Sequence, residues 1–268
     1  MRKTILTAGL VVLWFIFSTA AKAEVYLEGY VGYVKSATIF RDYIVLTTHH
    51  PALGTYTEHH TRGTFLPNVI GGVKVGTWFV PEGFLGAAYP AWMQHFGVYL
   101  DFSYHRQNFR YRECGSIINA GLAHTRNSFE SNGNAITLAL MFAGRLGFLA
   151  TTDVPFGCLQ PYFALGPALL ITSQDVTLKS CALTPGGLVP YSLSPGSETT
   201  VVPALAIEPG VRWLFNKNVS VDLSFKFRWA HPSFTFQYLD PFSATRETFT
   251  INPQYLIMSV QLGAAYHF

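Results

Sequence analysis

Charge is scarce in this chain. Asp, Glu, Lys and Arg make up 12% of its 268 residues, about half the roughly 25% of an ordinary soluble domain. The 18 Lys+Arg exceed the 15 Asp+Glu by 3, and Arg2, Lys3 and Lys22 supply that excess. They lie in an N-terminal segment that reads as a signal, so the remaining chain is formally neutral. There is no basic run with interleaved aromatics, which argues against a nucleic-acid partner. A long internal hydrophobic run is also missing. The best candidate, Ala135 to Ala150, is short, rich in glycine and holds Arg145, which argues against a membrane helix. What is plentiful is aromatic surface, at 15%, with a mean hydropathy of +0.24. Such a chain needs apolar surroundings other than those a helical membrane domain provides.

Residues 1-23 have the anatomy of a secretory signal peptide. Arg2 and Lys3 precede the apolar run Ile5 to Phe17, and Ala21-Lys22-Ala23 forms an A-x-A cleavage site before Glu24. The core falls short of the about 20 residues of a spanning helix. Residues 24-268 then form the second unit.

Along that unit, apolar and polar residues alternate with period two over segments of about ten residues, separated by Gly, Pro and Asn, as in a transmembrane β-barrel. In "VSVDLSFKFRW", Val219, Val221, Leu223, Phe225, Phe227 and Trp229 share one face, and Ser220, Asp222, Ser224, Lys226 and Arg228 share the other. The preceding segment opposes Leu205, Ile207, Pro209, Val211, Trp213 and Phe215 to Ala206, Glu208, Gly210, Arg212 and Leu214. A turn over Asn216-Lys217-Asn218 that pairs Phe215 with Val219 sets Arg212 opposite Asp222 and Glu208 opposite Lys226. Both pairs are opposite in charge, so charge and turn length specify the same register.

A soluble lipocalin-like barrel would turn Phe225, Phe227 and Trp229 into a cavity. The signal peptide, the aromatic strand ends and the low charge favour the inverse, with the apolar face toward lipid. Further strands are predicted at Glu24 to Lys35, Asn68 to Val80, Gln94 to His105, Asn134 to Arg145, from Pro161, and at Ile251 to Phe268. Together they give an all-β, closed, antiparallel up-and-down barrel of eight strands, with ten as the alternative. The segment from Pro161 is the least decisive, because both its faces are apolar or small and it holds two prolines. The inward charges are Glu28, Asp101, Glu208 and Asp222 against Lys74, Arg145, Arg212, Lys226 and Arg228. In a lumen about wide enough for side chains to fill, they predict a self-neutralising ionic plug; a narrow porin-like channel is the alternative.

Long connections near 36-67, 106-133, 173-200 and 230-250 are expected outside the cell, and the turn at 216-218 in the periplasm. The connections "PEGFLGAAYPAW" and "GFLATTDVPFGCLQ" are long for periplasmic turns, which is what keeps ten strands open. This topology puts Cys114 and Cys181 on one side and Cys158 on the other. It predicts a Cys114-Cys181 disulfide in an oxidising compartment, with three unpaired thiols as the alternative.

Two clusters invite chemical readings. His49, His50, His59 and His60 lie in "HHPALGTYTEHH", and imidazole clusters bind transition metals. A hairpin closing on Pro51-Ala52-Leu53-Gly54 would set His50 opposite Thr55 and His59 opposite Leu46, leaving the two His pairs at different levels. Their spacing matches no structural zinc pattern, and solvated loop histidines are the simpler reading. In "FRWAHPSF", His231 and Ser233 share a parity, and an imidazole two residues from a hydroxyl suits acyl transfer, with Glu247 as the orienting acid. Arg228, His231 and Ser233 resemble the Arg-x-x-His-x-Ser stretch of the outer-membrane lipid A 3-O-deacylases. That family follows its serine with asparagine, where this chain has Phe234. A residue of the aromatic belt and a loop serine account for the same letters.

Over its full mature length the chain resembles the small outer-membrane barrels of the OmpA/OmpX type, through the signal peptide, the alternating strands, "PYFALG" and the terminal "AYHF". The resemblance implies insertion in the outer membrane, contact with its lipid and lipopolysaccharide, and Tyr266 and Phe268 as a terminal signal for the assembly machinery. With no chain beyond Phe268, a periplasmic peptidoglycan-binding domain is not expected. The reading is a monomer without cofactor, with a structural or surface-interaction role toward an unidentified extracellular partner, and an enzyme only if the deacylase alternative holds. Mass mapping of the unreduced protein is expected to link Cys114 to Cys181; a link from Cys158 to either would overturn the strand order.

Overall fold

The computed structural model describes residues 24–38, 44–50, 54–60, 63–80, 89–112, 128–184, 187–239 and 246–268. The signal segment and Cys114 lie outside them. The strands are β1 (Glu24–Thr38), β2 (Ile44–His50), β3 (Gly54–His60), β4 (Gly63–Phe65), β5 (Asn68–Trp78), β6 (Phe96–Arg106), β7 (Phe109–Arg112), β8 (Ser128–Arg145), β9 (Leu159–Thr184), β10 (Gly187–Leu214), β11 (Val219–Ala230), β12 (Phe234–Leu239), β13 (Arg246–Ile251) and β14 (Tyr255–His267).

Eight of them close a barrel in the order β1-β5-β6-β8-β9-β10-β11-β14, with β14 returning to β1 and every pair antiparallel. Closure satisfies the backbone within the sheet, which an apolar medium demands. All eight spanning segments expected from sequence are present. The ten-strand alternative does not hold: one of the two long connections carries the short 3₁₀ turn Ala91–His95, and the other folds back through a single bridge from Phe148 to Leu159.

The tight hairpin keeps its expected register. The Phe215 N–H donates to the Val219 carbonyl at 3.0 Å, and Arg212 faces Asp222 on the ladder. Alternation then sorts the faces: Phe225 is 50% exposed and its neighbour Lys226 0%. The outward band includes Leu27, Val31, Val73, Leu100, Leu140, Leu169, Leu205, Leu223 and Leu262. On β9 it runs from Phe163 to Ile171, close to the roughly 9–11 residues a tilted strand needs to cross a bilayer. Trp213, Phe215, Tyr266 and Phe268 edge the band at the short-turn end, and Tyr33, Tyr104 and Trp229 at the long-loop end. Val25 departs from the outward parity assigned to it and is buried.

Beyond the band, β8, β9 and β10 continue as a wall, to which β7 and β4 add in turn. A second sheet, in the order β12-β13-β2-β3, stands at the same end. It is joined to the barrel where the β11–β14 ladder stops at Ala230 and Tyr255 and resumes at Phe234 and Ile251. Pro232 and Pro253 occupy the two interruptions, and proline offers no N–H to a ladder.

The β2–β3 hairpin differs from expectation by one residue. His50 faces Gly54 and His49 faces Thr55, while Leu46 faces Glu58 and Val45 faces His59. Gly54 joins the ladder instead of remaining in the turn, so every cross-strand partner shifts.

The outward face predicts a spectroscopic result. In bilayers of lipid brominated in the acyl chains, single-tryptophan variants retaining Trp213 or Trp229 should be strongly quenched. A variant retaining Trp78, which is 3% exposed, should be shielded; the reverse pattern would require an apolar-lined soluble barrel.

Candidate functional site in the barrel lumen

Each ladder position inside the barrel presents one residue per strand to the axis. Glu28, Lys74 and Asp101 therefore meet at one level, since Glu28 faces Lys74 on β1–β5 and Lys74 faces Asp101 on β5–β6. The Lys74 ammonium donates to Glu28 Oε1 and Glu208 Oε1, both at 2.7 Å, and lies 3.7 Å from Asp222 Oδ1. Lys226 bridges Glu208 Oε2 at 2.6 Å and Asp101 Oδ2 at 2.8 Å. Arg212 Nη2 donates to Glu28 Oε2 at 2.5 Å, and its Nε lies 3.5 Å from Asp222 Oδ2. Arg228 Nη2 lies 3.8 Å from Asp101 and donates to Ser103 Oγ at 3.1 Å. Lysine and carboxylate thus alternate across the lumen, and each is nearly or wholly buried.

Four tyrosines complete this network, beyond the charged residues expected there. Tyr30 donates to Asp101 at 2.7 Å and Tyr99 to Glu208 at 3.0 Å. The Tyr162 hydroxyl lies 2.9 Å from Glu208 and 2.8 Å from Asp222, donating to one at a time. The Arg212 guanidinium sits 4.3 Å from the centre of the Tyr26 ring. The rings fit because glycine faces three of them: Tyr26 opposite Gly76, Tyr30 opposite Gly72, and Tyr162 opposite Gly210. A Cβ at Gly210 would come 2.5 Å from the Tyr162 ring. A signal for them exists in the sequence, since Tyr26 and Tyr30 share the parity of Glu28, and Tyr99 that of Asp101.

Arg145 is the inward cation nearest the short-turn end. Its Nη1 and Nη2 donate to Glu24 at 2.7 and 2.5 Å, its Nη1 to Gln160 at 3.0 Å, and its Nε to the Gln94 carbonyl at 3.2 Å. The Trp78 and Phe156 rings lie 4.2 and 4.4 Å from its guanidinium carbon. Glu24 is an addition to the expected inward set. With it, five lumen carboxylates meet five lumen cations, where four against five were expected. Ser220 and His267 sit beside this mouth, joined at 2.9 Å.

The ionic filling stops above Arg228. At the long-loop levels the interior is mainly apolar, with Ile70, Ala135, Leu170, Ala230, Ile257 and Tyr255 in one buried cluster together with Phe65, Phe109, Phe234 and Phe236, interrupted by the buried polar side chains Gln107, Ser131, Thr172 and Gln174. His105 lies at this boundary, buried, with neither ring nitrogen hydrogen-bonded among the described residues.

The other candidate residues are not brought together. His231 and Ser233 are both exposed; among the described residues His231 packs edge-on against Trp229, with ring centres 4.7 Å apart, and no hydrogen bond joins it to Ser233. Glu247 faces Tyr238 on β12–β13, four ladder positions beyond the Phe234–Ile251 pair, or about 13 Å along the strand. The side chains of Glu247, Cys181 and the four histidines lie outside the described residues. Their backbones place His49 and His50 at the tip of the β2–β3 hairpin and His59 and His60 at its base. Cys181 faces Pro190 near the far end of β9. Cys158, before the start of β9, is a free thiol with Thr151 Oγ1 at 3.6 Å.

A closed antiparallel barrel with a charged interior and an apolar belt is a membrane-spanning β-barrel. Comparison with solved structures finds likenesses at low sequence identity. The chain is similar to the outer membrane protein OprG from Pseudomonas aeruginosa, at 12% identity over 93% of this chain and 98% of that one, with a TM-score of 0.48. It is similar to a major outer membrane protein from Thermus thermophilus, at 12% identity over 92% and 99%, TM-score 0.47. It is also similar to Neisserial surface protein A, at 10% identity over 91% and 97%, TM-score 0.39. No protein-family model matches the sequence, and no curated protein does.

Removing one charge from this lattice leaves a buried excess of the opposite sign, and breaking a buried pair in this way costs about 3–5 kcal/mol. Lys74→Met, which leaves Glu28 only Arg212 and Glu208 only Lys226 as cationic partners, is expected to destabilise the folded barrel by that amount in urea unfolding from lipid vesicles. Lys74→Met with Glu208→Gln should recover part of the loss. A single variant as stable as the parent would show that the lattice does not hold the barrel together.

Proposed function

We propose that this chain is an integral outer-membrane barrel with a sealed lumen that presents a folded platform to the exterior, in a structural or surface-interaction role. The sealed lumen rests on one observation: the chain Glu28–Lys74–Glu208–Lys226–Asp101 crosses the interior with none of its members more than 1% exposed. An eight-stranded interior is about filled by side chains, and here those side chains are tied to one another. The platform reading is supported by the sheet β12-β13-β2-β3 and the wall of β7 to β10, which continue beyond the apolar band. Binding on barrels of this kind resides in loops held by a rigid scaffold.

In this reading the short-turn end faces the periplasm, residues 1-23 are removed on export, and Tyr266 and Phe268 are read by the assembly machinery. The barrel is a monomer in contact with outer-membrane lipid and lipopolysaccharide, and the Cys114-Cys181 bond lies on the outer side. The acyl-hydrolase alternative has less support, because Glu247 is held far along its strand from His231 and Ser233.

Reconstituted in planar bilayers, the protein is expected to give no steady single-channel current, and to release no acyl chains from lipid A. A stable current would establish the channel alternative. Acyl release that vanished in Ser233→Ala would establish the hydrolase.

A further inference from the structure

The two long connections at the short-turn end form one lobe. The first carries the 3₁₀ turn Ala91–His95 into β6, and the second runs from the end of β8 through residues 146–158 into β9. Their inner sides are fastened to each other and to the barrel mouth. His95 Nδ1 lies 3.1 Å from the Arg145 carbonyl oxygen, and Arg145 Nε donates to the Gln94 carbonyl at 3.2 Å. The Phe156 ring stands 5.3 Å from the His95 ring and 4.4 Å from the Arg145 guanidinium carbon. Gly147 permits this fold-back, since a Cβ there would collide with the Phe156 carbonyl oxygen.

The other side of the lobe is apolar and uncovered. Leu146 and Phe148 keep the outward parity of Leu138, Leu140 and Phe142 on β8, and both are exposed. The Phe96 ring lies over Gly144 on the same outer surface, 4.0 Å from where a Cβ would stand. Exposed Trp92 packs edge-on against Phe96, with ring centres 6.0 Å apart. The lipid-facing band of β6 and β8 thus runs onto the lobe without a polar break. At Leu149 the alternation fails. In a regular strand the residue after Phe148 would point inward with Arg145 and Gly147, but Leu149 has a φ of 59° and is 61% exposed. Two consecutive apolar side chains therefore face outward. The left-handed region is unfavourable for leucine, and an exposed leucine in water would offset none of that cost. Covered by lipid, the same exposure is favourable, which gives the strained residue a use. Beyond it the lobe turns polar, with Thr151, Thr152 and Asp153 exposed. Among the described residues of the two connections, Asp153 is the only acid.

We propose that the lobe is an interfacial anchor whose partner is the phospholipid of the leaflet at the short-turn end. Trp92, Phe96, Leu146, Phe148 and Leu149 lie among the acyl chains near the headgroups, a depth that suits tryptophan, and Thr151 to Asp153 lie in the headgroup layer. The turn at Asn216-Lys217-Asn218 is polar throughout and remains in water, so the anchor acts on one sector of the barrel. An anchor on one sector sets how the barrel is rotated and tilted in the bilayer. The inference rests on the membrane-spanning reading of the barrel and adds to it a place for two connections that read as periplasmic turns.

The test uses the full mature protein with Trp92 as its one tryptophan, through Trp78→Phe, Trp213→Phe and Trp229→Phe, in phosphatidylcholine vesicles brominated either near the headgroup or near the chain ends. A matched protein retaining only Trp213 reports insertion of the barrel itself. Trp92 is expected to lose about half its fluorescence to the shallow bromines, to lose less to the deep ones, and to be shielded from iodide in the water. Phe148→Asp with Leu149→Asp should cut the quenching of Trp92 about twofold and leave that of Trp213 unchanged. Folding of each variant is checked by its heat-modifiable gel migration, and the first measurement needs no change in the apolar residues around Trp92. Trp92 open to iodide and untouched by either lipid, with Trp213 quenched, would put the lobe in water and overturn the inference while leaving the barrel in its membrane. Stronger quenching of Trp92 by the deep bromines would also overturn it. Quenching of neither tryptophan would overturn the membrane-spanning reading, and the inference with it.

Discussion

The whole structure depends on pairing backbone groups and charges without water. In the sheet, closure of β14 on β1 removes the edge that an apolar medium would leave unpaired. In the lumen the same demand falls on side chains. A lone ion there carries a desolvation cost of several kcal/mol, so Lys74 sits among three carboxylates and Glu208 between two lysines. The two solutions are linked by register. A slip of one residue on a charged strand such as β5 or β11 would turn its charges toward lipid and its apolar residues inward, so the ion lattice and the backbone ladders enforce the same alignment.

Much of this is legible because the sequence states it twice. On β11 an unbroken apolar face opposes an unbroken polar one, and the three-residue turn before it brings Arg212 to Asp222 and Glu208 to Lys226 by counting alone. On β9 the same reasoning has nothing to grip. Its inward face, Ala164, Gly166, Ala168 and Leu170, is as apolar as its outward one, because Tyr99 and Tyr162 fill the space its small residues leave. Residues of that sort reveal their side only through the partners they accommodate.

Three features are not legible, each for a physical reason. Glu24 reads as the mere start of a strand, yet the closed barrel carries it round to Arg145, 121 positions away in sequence. The mainly apolar upper lumen follows from the parity of Ile70, Leu170 and Ile257 but is masked by the charges lower on the same faces. The second sheet is built from what read as loops, and the β2–β3 register turns on whether Gly54 belongs to the turn or the ladder. Turn length sets register only when the turn's own boundaries are known.

The prolines at 232 and 253 have a mechanical meaning. Two strands of the barrel continue into the outer sheet, and without an interruption a twist or tug on that sheet would run straight down the hydrogen-bond ladder into the ion lattice. With both strands broken at the same height, the second sheet is not joined to the barrel by a continuous β11–β14 ladder. The break works like an expansion joint. It lets the exposed sheet be strained by what it meets, or rebuilt by mutation, while the alignment of the charges beneath stays fixed.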